Sequence, residues 1–270
     1  MSRKIKDILL KKGKKKIVSL TAYSKNYAKI LDRYCDIILV GDSMANVLYG
    51  HKDTHKISLQ NIIQHTLSVE KVIKKSLLVV DMPKGSYSNK KLAIKNAKML
   101  MNLTKCDALK LESNYKNFNI IHELVKTKIP VMGHIGFTPQ FKKKFKIQGD
   151  TTKSINKLLK EALTIEKAGA FSIVLECLTP KASKLITNNL RIPTIGIGSS
   201  SNCDGQILVT DDMLGMSGFY PKFVKKYALL NRTIEKAVKK YSREVKSKRF
   251  PAIKNFLNGR KYWKKARIKK

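Results

Sequence analysis

Four times along this chain a short apolar run stops at an acid. Ile37-Ile38-Leu39-Val40 leads through Gly41 to Asp42 and Ser43, and Leu77-Leu78-Val79-Val80 reaches Asp81. Ala108-Leu109-Lys110-Leu111 reaches Glu112, and Ser172-Ile173-Val174-Leu175 reaches Glu176. Short apolar runs rich in β-branched residues suit strands buried on both faces. Such strands need helices packed against them, and helical patterns lie between the runs. Leu59, Ile62, Ile63, Thr66, Val69, Val72 and Ile73 recur near helical spacing after Ser58, a suitable N-cap. Ile155, Leu158, Leu159, Ala162 and Ile165 do the same before a stop at Gly169.

Four further strands complete the alternation: Ile17 to Leu20, Val131 to Ile135, Thr194 to Gly198 and Gln206 to Val209. Ser24 is placed to cap the helix after the first of them, and the chain beyond the last reads as helical to about Tyr241. Strands alternating with helices over a chain of 270 residues predict an α/β fold, a single-domain (β/α)8 TIM-type barrel. The barrel is expected over residues 1–251, beginning with a basic lead-in. Residues 252–270 form a basic tail expected to be poorly ordered. No GxGxxG follows the first strand, which weakens a dinucleotide-binding reading.

In such a barrel the C-terminal strand ends share one mouth, which would gather Asp42, Ser43, Asp81, Lys110, Glu112, His134 and Glu176. Each alone has an ordinary explanation. An Asp after a strand is about as often a helix cap as a catalytic group, and a lone His is more often a satisfied polar residue than a ligand. Their joint occurrence is the stronger argument. Oxygen ligands without a thiol cluster suit Mg²⁺ rather than zinc. A 2-oxo acid could chelate such an ion, which would stabilise an enolate while a separate carboxylate removes the adjacent proton.

The net charge of +37 raises the alternative of a basic nucleic-acid-binding barrel. The residue type argues against it: 8 of the 56 basic residues are Arg, leaving 48 Lys, and Arg is the usual reader of bases and phosphates. Lys, Asn and Ile, all with A/T-rich codons, are abundant together, so compositional drift on solvated faces is the simpler reading, and no specific nucleic acid is expected. The four cysteines, Cys35, Cys106, Cys177 and Cys203, have no CxxC spacing and read as reduced thiols of a cytoplasmic protein. No run of about eighteen apolar residues suggests a membrane span, and the N-terminus does not read as a signal peptide.

The residues also carry a resemblance. LTAYS (20–24), VGDSMANVLYGHKDT (40–54), DMPKGSY (81–87), KLES (110–113), GHIGFTPQ (133–140), KIQGD (146–150), VLEC (174–177), PTIGIGSS (193–200), CDGQILV (203–209) and YPKFVKKY (220–227) occur in order. Together they resemble the ketopantoate hydroxymethyltransferase family, also called 3-methyl-2-oxobutanoate hydroxymethyltransferase. The resemblance implies a (β/α)8 barrel that transfers a hydroxymethyl group from 5,10-methylenetetrahydrofolate to 3-methyl-2-oxobutanoate through a Mg²⁺-stabilised enolate. The product is 2-dehydropantoate, on the way to pantothenate, and the family assembles as homo-oligomers, typically decamers. By the same resemblance Asp42, Asp81 and Glu112 would serve the metal, Ser43 and Lys110 the keto-acid carboxylate, His134 the substrate, and Glu176 the role of general base. The Gly196-Ile197-Gly198 turn would let a ligand approach the backbone. Another Mg²⁺-dependent 2-oxo-acid aldolase or lyase of the phosphoenolpyruvate-mutase-like barrels is the alternative within the same chemistry.

Overall fold

A computed structural model describes residues 2–113, 118–142, 145–218 and 220–255. Eight parallel strands close into a barrel in sequence order, β1 (Ile17–Thr21), β2 (Ile37–Val40), β3 (Leu77–Asp81), β4 (Ala108–Lys110), β5 (Val131–Gly136), β6 (Ser172–Glu176), β7 (Thr194–Ile197) and β8 (Gly205–Leu208), with β8 pairing back onto β1. The helices are α1 (Arg3–Leu10), α2 (Lys25–Leu31), α3 (Met44–Val47), α4 (Leu59–Glu70), α5 (Lys90–Thr104), α6 (Phe118–Lys126), α7 (Thr152–Lys167), α8 (Pro180–Asn189), α9 (Thr210–Met213) and α10 (Leu230–Lys246). The expected tail falls largely on residues 256–270, outside those described.

Helix starts follow local chemistry. Ser58 and Asn61 form a reciprocal capping box on α4, and Asn89 caps α5. Thr151 caps α7, its side chain accepting from the Ser154 N–H. Ser24 stands at the cap position of α2, but its side chain makes no capping hydrogen bond. The expected continuous helix after β8 is instead two helices. Residues 214–218 and 220–229 between them are non-helical, with Gly215 and Gly218 at positive φ.

Two apolar cores divide the strand residues by parity. One lies between barrel and helices and includes Ile38, Val40, Leu78, Val80, Leu109, Val131, Ile135, Ile173 and Leu175. The other fills the barrel with Ile17, Ile37, Leu39, Leu77, Val79, Ala108, Met132, Val174, Ile195 and Ile207. Ile5 and Ile8 of α1 join this inner cluster. Because side chains alternate along a strand, whatever follows an inward residue by two also points inward. That parity carries Leu77 and Val79 to Asp81, Ala108 to Lys110, Met132 to His134 and Val174 to Glu176.

Candidate active site

At the C-terminal mouth of the barrel, Asp42, Asp81, Lys110, Glu112 and His134 are each 5 % exposed or less. Ser43 and Glu176 are partly accessible, so these two are the site residues that solvent or a ligand can reach. Four carboxyl groups thus crowd around a single buried ammonium.

The contacts are specific. Lys110 Nζ donates to Asp81 Oδ1 at 2.6 Å, and the Asp42 backbone N–H donates to Asp81 Oδ2 at 3.0 Å. Gln140 donates its side-chain amide to Asp42 Oδ2 at 2.9 Å and its backbone N–H to Glu112 Oε2 at 2.9 Å. Ser43 Oγ lies 2.8 Å from Tyr23 Oη. His134 stands between two acids, its Nδ1 3.7 Å from Glu112 Oε1 and its Nε2 3.1 Å from Glu176 Oε2. Neither approach completes a hydrogen bond, so both buried ring nitrogens stay unpaired among the described residues. Unpaired buried polar atoms are costly and concentrate at sites kept for function.

The electrostatics follow from burial and crowding. Desolvation, then the Asp81 charge, pushes Asp42 up to about 7. Desolvation also raises Glu176 to about 8, although Lys110 opposes it. Glu112 is raised well above the ordinary carboxyl range by burial, then by Asp42. Burial, then Lys110, lowers His134 so far that the imidazole is neutral at pH 7. Lys110 keeps its charge: burial alone would lower it, but Asp81, Asp42 and Glu112 raise it above the usual lysine value. A neutral imidazole and a carboxyl poised near 8 suit proton transfer near neutral pH.

The donor set suits a hard divalent cation. Asp42 and Asp81 are oxygen donors whose mutual repulsion a dication would relieve, and Mg²⁺ commonly takes one or two carboxylates and keeps its waters. Among the described residues no three His, Cys, Asp or Glu side chains come together as ligands of one ion. Asp42 and Asp81 are the two that could hold such an ion, while one oxygen of Glu112 is engaged by the Gln140 N–H.

All seven residues singled out from the sequence stand at this mouth. Gln140, Tyr87 and Tyr23 were missed, although each lies in a quoted string: TPQ, KGSY and TAYS. Other motif residues prove structural. A Cβ on Gly198 would lie 2.7 Å from the Phe223 ring, so the chain's own side chain packs closely on the backbone there. Asp204 of the CDGQ string accepts from Lys12, the Gly13 N–H and the Thr194 N–H, tying the N-terminal segment to β7.

Comparison with known proteins adds a second line. Residues 3–253 match the family profile described as ketopantoate hydroxymethyltransferase. The chain is 48 % identical over 255 residues to the 3-methyl-2-oxobutanoate hydroxymethyltransferase of Pelagibacter ubique (strain HTCC1062), covering 94 % of this chain and 99 % of that one. It is 48 % identical over 250 residues to the enzyme of the same name from Anaplasma marginale (strain St. Maries), covering 92 % and 90 %. Among solved structures it is similar in fold to phosphonopyruvate hydrolase, with a TM-score of 0.64, 10 % identity and coverage of 96 % and 92 %. Another is 2,3-dimethylmalate lyase, a PEP mutase/isocitrate lyase superfamily member, with a TM-score of 0.59, 13 % identity and coverage of 95 % and 92 %.

Proposed function

The chain belongs to the ketopantoate hydroxymethyltransferase family, and from that premise we propose that its barrel mouth transfers a hydroxymethyl group from 5,10-methylenetetrahydrofolate to 3-methyl-2-oxobutanoate. Water supplies the hydroxyl oxygen, and tetrahydrofolate and 2-dehydropantoate are released, a step of pantothenate biosynthesis. The observation that carries this reading is the convergence of Asp42, Asp81, Lys110, His134 and Glu176 on one mouth, in a chain so similar to enzymes of that name.

Each residue has a role that fits its surroundings. Asp42 and Asp81 would hold Mg²⁺, which when bound supplies Lewis-acid polarisation of the keto carbonyl. Lys110 spends one of its three N–H donors on Asp81 and keeps others for the substrate carboxylate, for which the Ser43 hydroxyl, in contact with Tyr23, would be a second donor. Glu176, the accessible carboxylate, takes the proton from C3. A carboxyl raised to about 8 is a stronger base when ionised than an ordinary one. Neutral His134, beside it, donates or accepts one hydrogen bond to orient substrate. Glu112, held by Gln140, lines the far side of the imidazole.

Two further features support finer parts of the reading. The α10 helix has no buried residue, and Ile234, Val238, Tyr241 and Val245 expose an apolar stripe along it. A second copy of the chain would cover that stripe in a homo-oligomer, for which we retain the decamer. The four cysteines are free thiols, and no described helix is long and apolar enough to cross a membrane; the free thiols favour a reducing cytoplasm.

The test is exchange of the C3 proton of 3-methyl-2-oxobutanoate in D₂O, followed by NMR. Wild type with Mg²⁺ is expected to exchange it, and Glu176→Gln to lose exchange by roughly 100-fold or more while still binding Mg²⁺. Undiminished exchange in Glu176→Gln would sink the assigned base. Product formed without methylenetetrahydrofolate would move the reaction to the lyase alternative.

A further inference from the structure

Gln140 lies in the loop after β5 and is 1 % exposed. Every hydrogen-bonding group it turns into the site is engaged. Its amide Nε2 donates to Asp42 Oδ2 at 2.9 Å and to the Met82 carbonyl at 3.1 Å. Its Oε1 accepts from the Tyr87 hydroxyl at 2.5 Å, and its backbone N–H donates to Glu112 Oε2 at 2.9 Å. Tyr87 is itself buried, so its hydroxyl has little freedom to turn elsewhere. The two ends of the amide are thereby told apart: the oxygen faces the only phenol contact it makes here, and the nitrogen must face Asp42.

The chemical consequence lies in the carboxylates. Gln140 on Oδ2 fixes one oxygen of Asp42, and the Thr54 hydroxyl also lies against this carboxyl. With the same residue's N–H on Oε2, Glu112 keeps Oε1 on the His134 side. One residue therefore sets the facing of a carboxylate on the cation side and of another on the imidazole side. Partners that orient a ligating carboxylate typically alter metal affinity by about 10–100-fold when removed.

Resting on the functional reading above, we infer that Gln140, braced by Tyr87, is a positioning residue that presents Asp42 to the divalent cation. It touches neither the reacting atoms nor the cation; it acts through Asp42 and Glu112.

The experiment uses the full chain and Mn²⁺ as the probe, with free Mn²⁺ counted by electron paramagnetic resonance. Gln140→Met keeps the length of the side chain and the backbone N–H but removes both polar ends. Gln140→Glu keeps the acceptor for Tyr87 and removes the donor to Asp42. Tyr87→Phe removes a single hydroxyl. The Gln140 variants are expected to raise the Mn²⁺ Kd by roughly 10–100-fold, and Tyr87→Phe by a smaller factor in the same direction. At saturating Mn²⁺, kcat for C3-proton exchange should recover most of the wild-type value, since the defect is in presenting Asp42. A purely structural role would instead lower the melting temperature and leave the Mn²⁺ Kd unchanged, and that result overturns the inference. Should Gln140→Met fail to fold, an unaltered Kd in Tyr87→Phe overturns it as well. A wild-type protein that takes up no Mn²⁺ overturns the functional reading, and the inference falls with it. Wild-type uptake with unaltered variants overturns the inference alone.

Discussion

Asp42 is held where its charge costs the metal-free protein stability. Its folded pKa of about 7 lies above the ordinary 3.8, because burial and Asp81 disfavour the anion. Between those values the folded chain binds a proton that the unfolded chain releases, so this group's contribution falls as pH rises from about 4 to 7. Above pH 7 the full cost is present. Metal-free Asp42→Asn is therefore expected to be more stable than wild type at pH 8, by about 1–4 kcal/mol. The gap should narrow as pH falls through 7 and close below about 4. Urea titrations at pH 8, 6 and 4 check this, and adding Mg²⁺ at pH 8 should reverse the order. A wild type more stable than the variant at pH 8 without metal would contradict the crowding described here. At this scale Asp42, Asp81 and Glu176 were legible, since each ends an apolar run. Gln140 was not. Its partners Asp42, Met82 and Tyr87 lie 98, 58 and 53 residues away, and no local pattern marks a side chain whose role is set by such distant neighbours.

At the scale of elements, strand parity does the positioning, and glycine permits the strand ends to approach. Gly136 closes β5 at φ +98°, and a Cβ there would stand 2.1 Å from the Glu176 carbonyl oxygen and 2.3 Å from Leu178 Cδ1. Backbone cannot yield as a flexible side chain can, so Gly136→Ala must shift β5 against β6 where His134 and Glu176 meet. It is expected to cost about 2–4 kcal/mol in thermal or urea unfolding and to slow C3-proton exchange at least tenfold. An alanine variant with native stability and exchange would show that the strand end tolerates movement. Local signals located the strands to within a residue or two, and the capping residue Ser58 announced its helix. They failed after β8, where Gly215 and Gly218 break what apolar content alone suggests is one helix.

For the whole molecule, closure is what makes a site out of dispersed strand ends. The inner apolar layers fill the barrel below the mouth, α1 contributes Ile5 and Ile8 to them, and the charged layer is left at the open end. On the outside, α10 exposes Ile234, Val238, Tyr241 and Val245 among the described residues. Val238→Asp together with Tyr241→Asp is expected to lower the molar mass of the assembly in light scattering while leaving the monomer's circular dichroism unchanged. An assembly of unaltered mass would remove α10 from the interface. The charge of +37 is spread over solvated lysines, and the mouth itself is locally acidic, so the total says little about the site.

By itself the sequence determined the repeating unit and the residues that could do chemistry. Alternation of apolar runs with helical spacing is a local property, and an acid at the end of a buried run is visible without any contact. What only the tertiary structure decided is which of those groups meet, how each is oriented and how strongly each holds its proton. Those depend on separations of a few ångströms between atoms scores of residues apart, and on a low-dielectric mouth that exists only once the eighth strand has paired with the first.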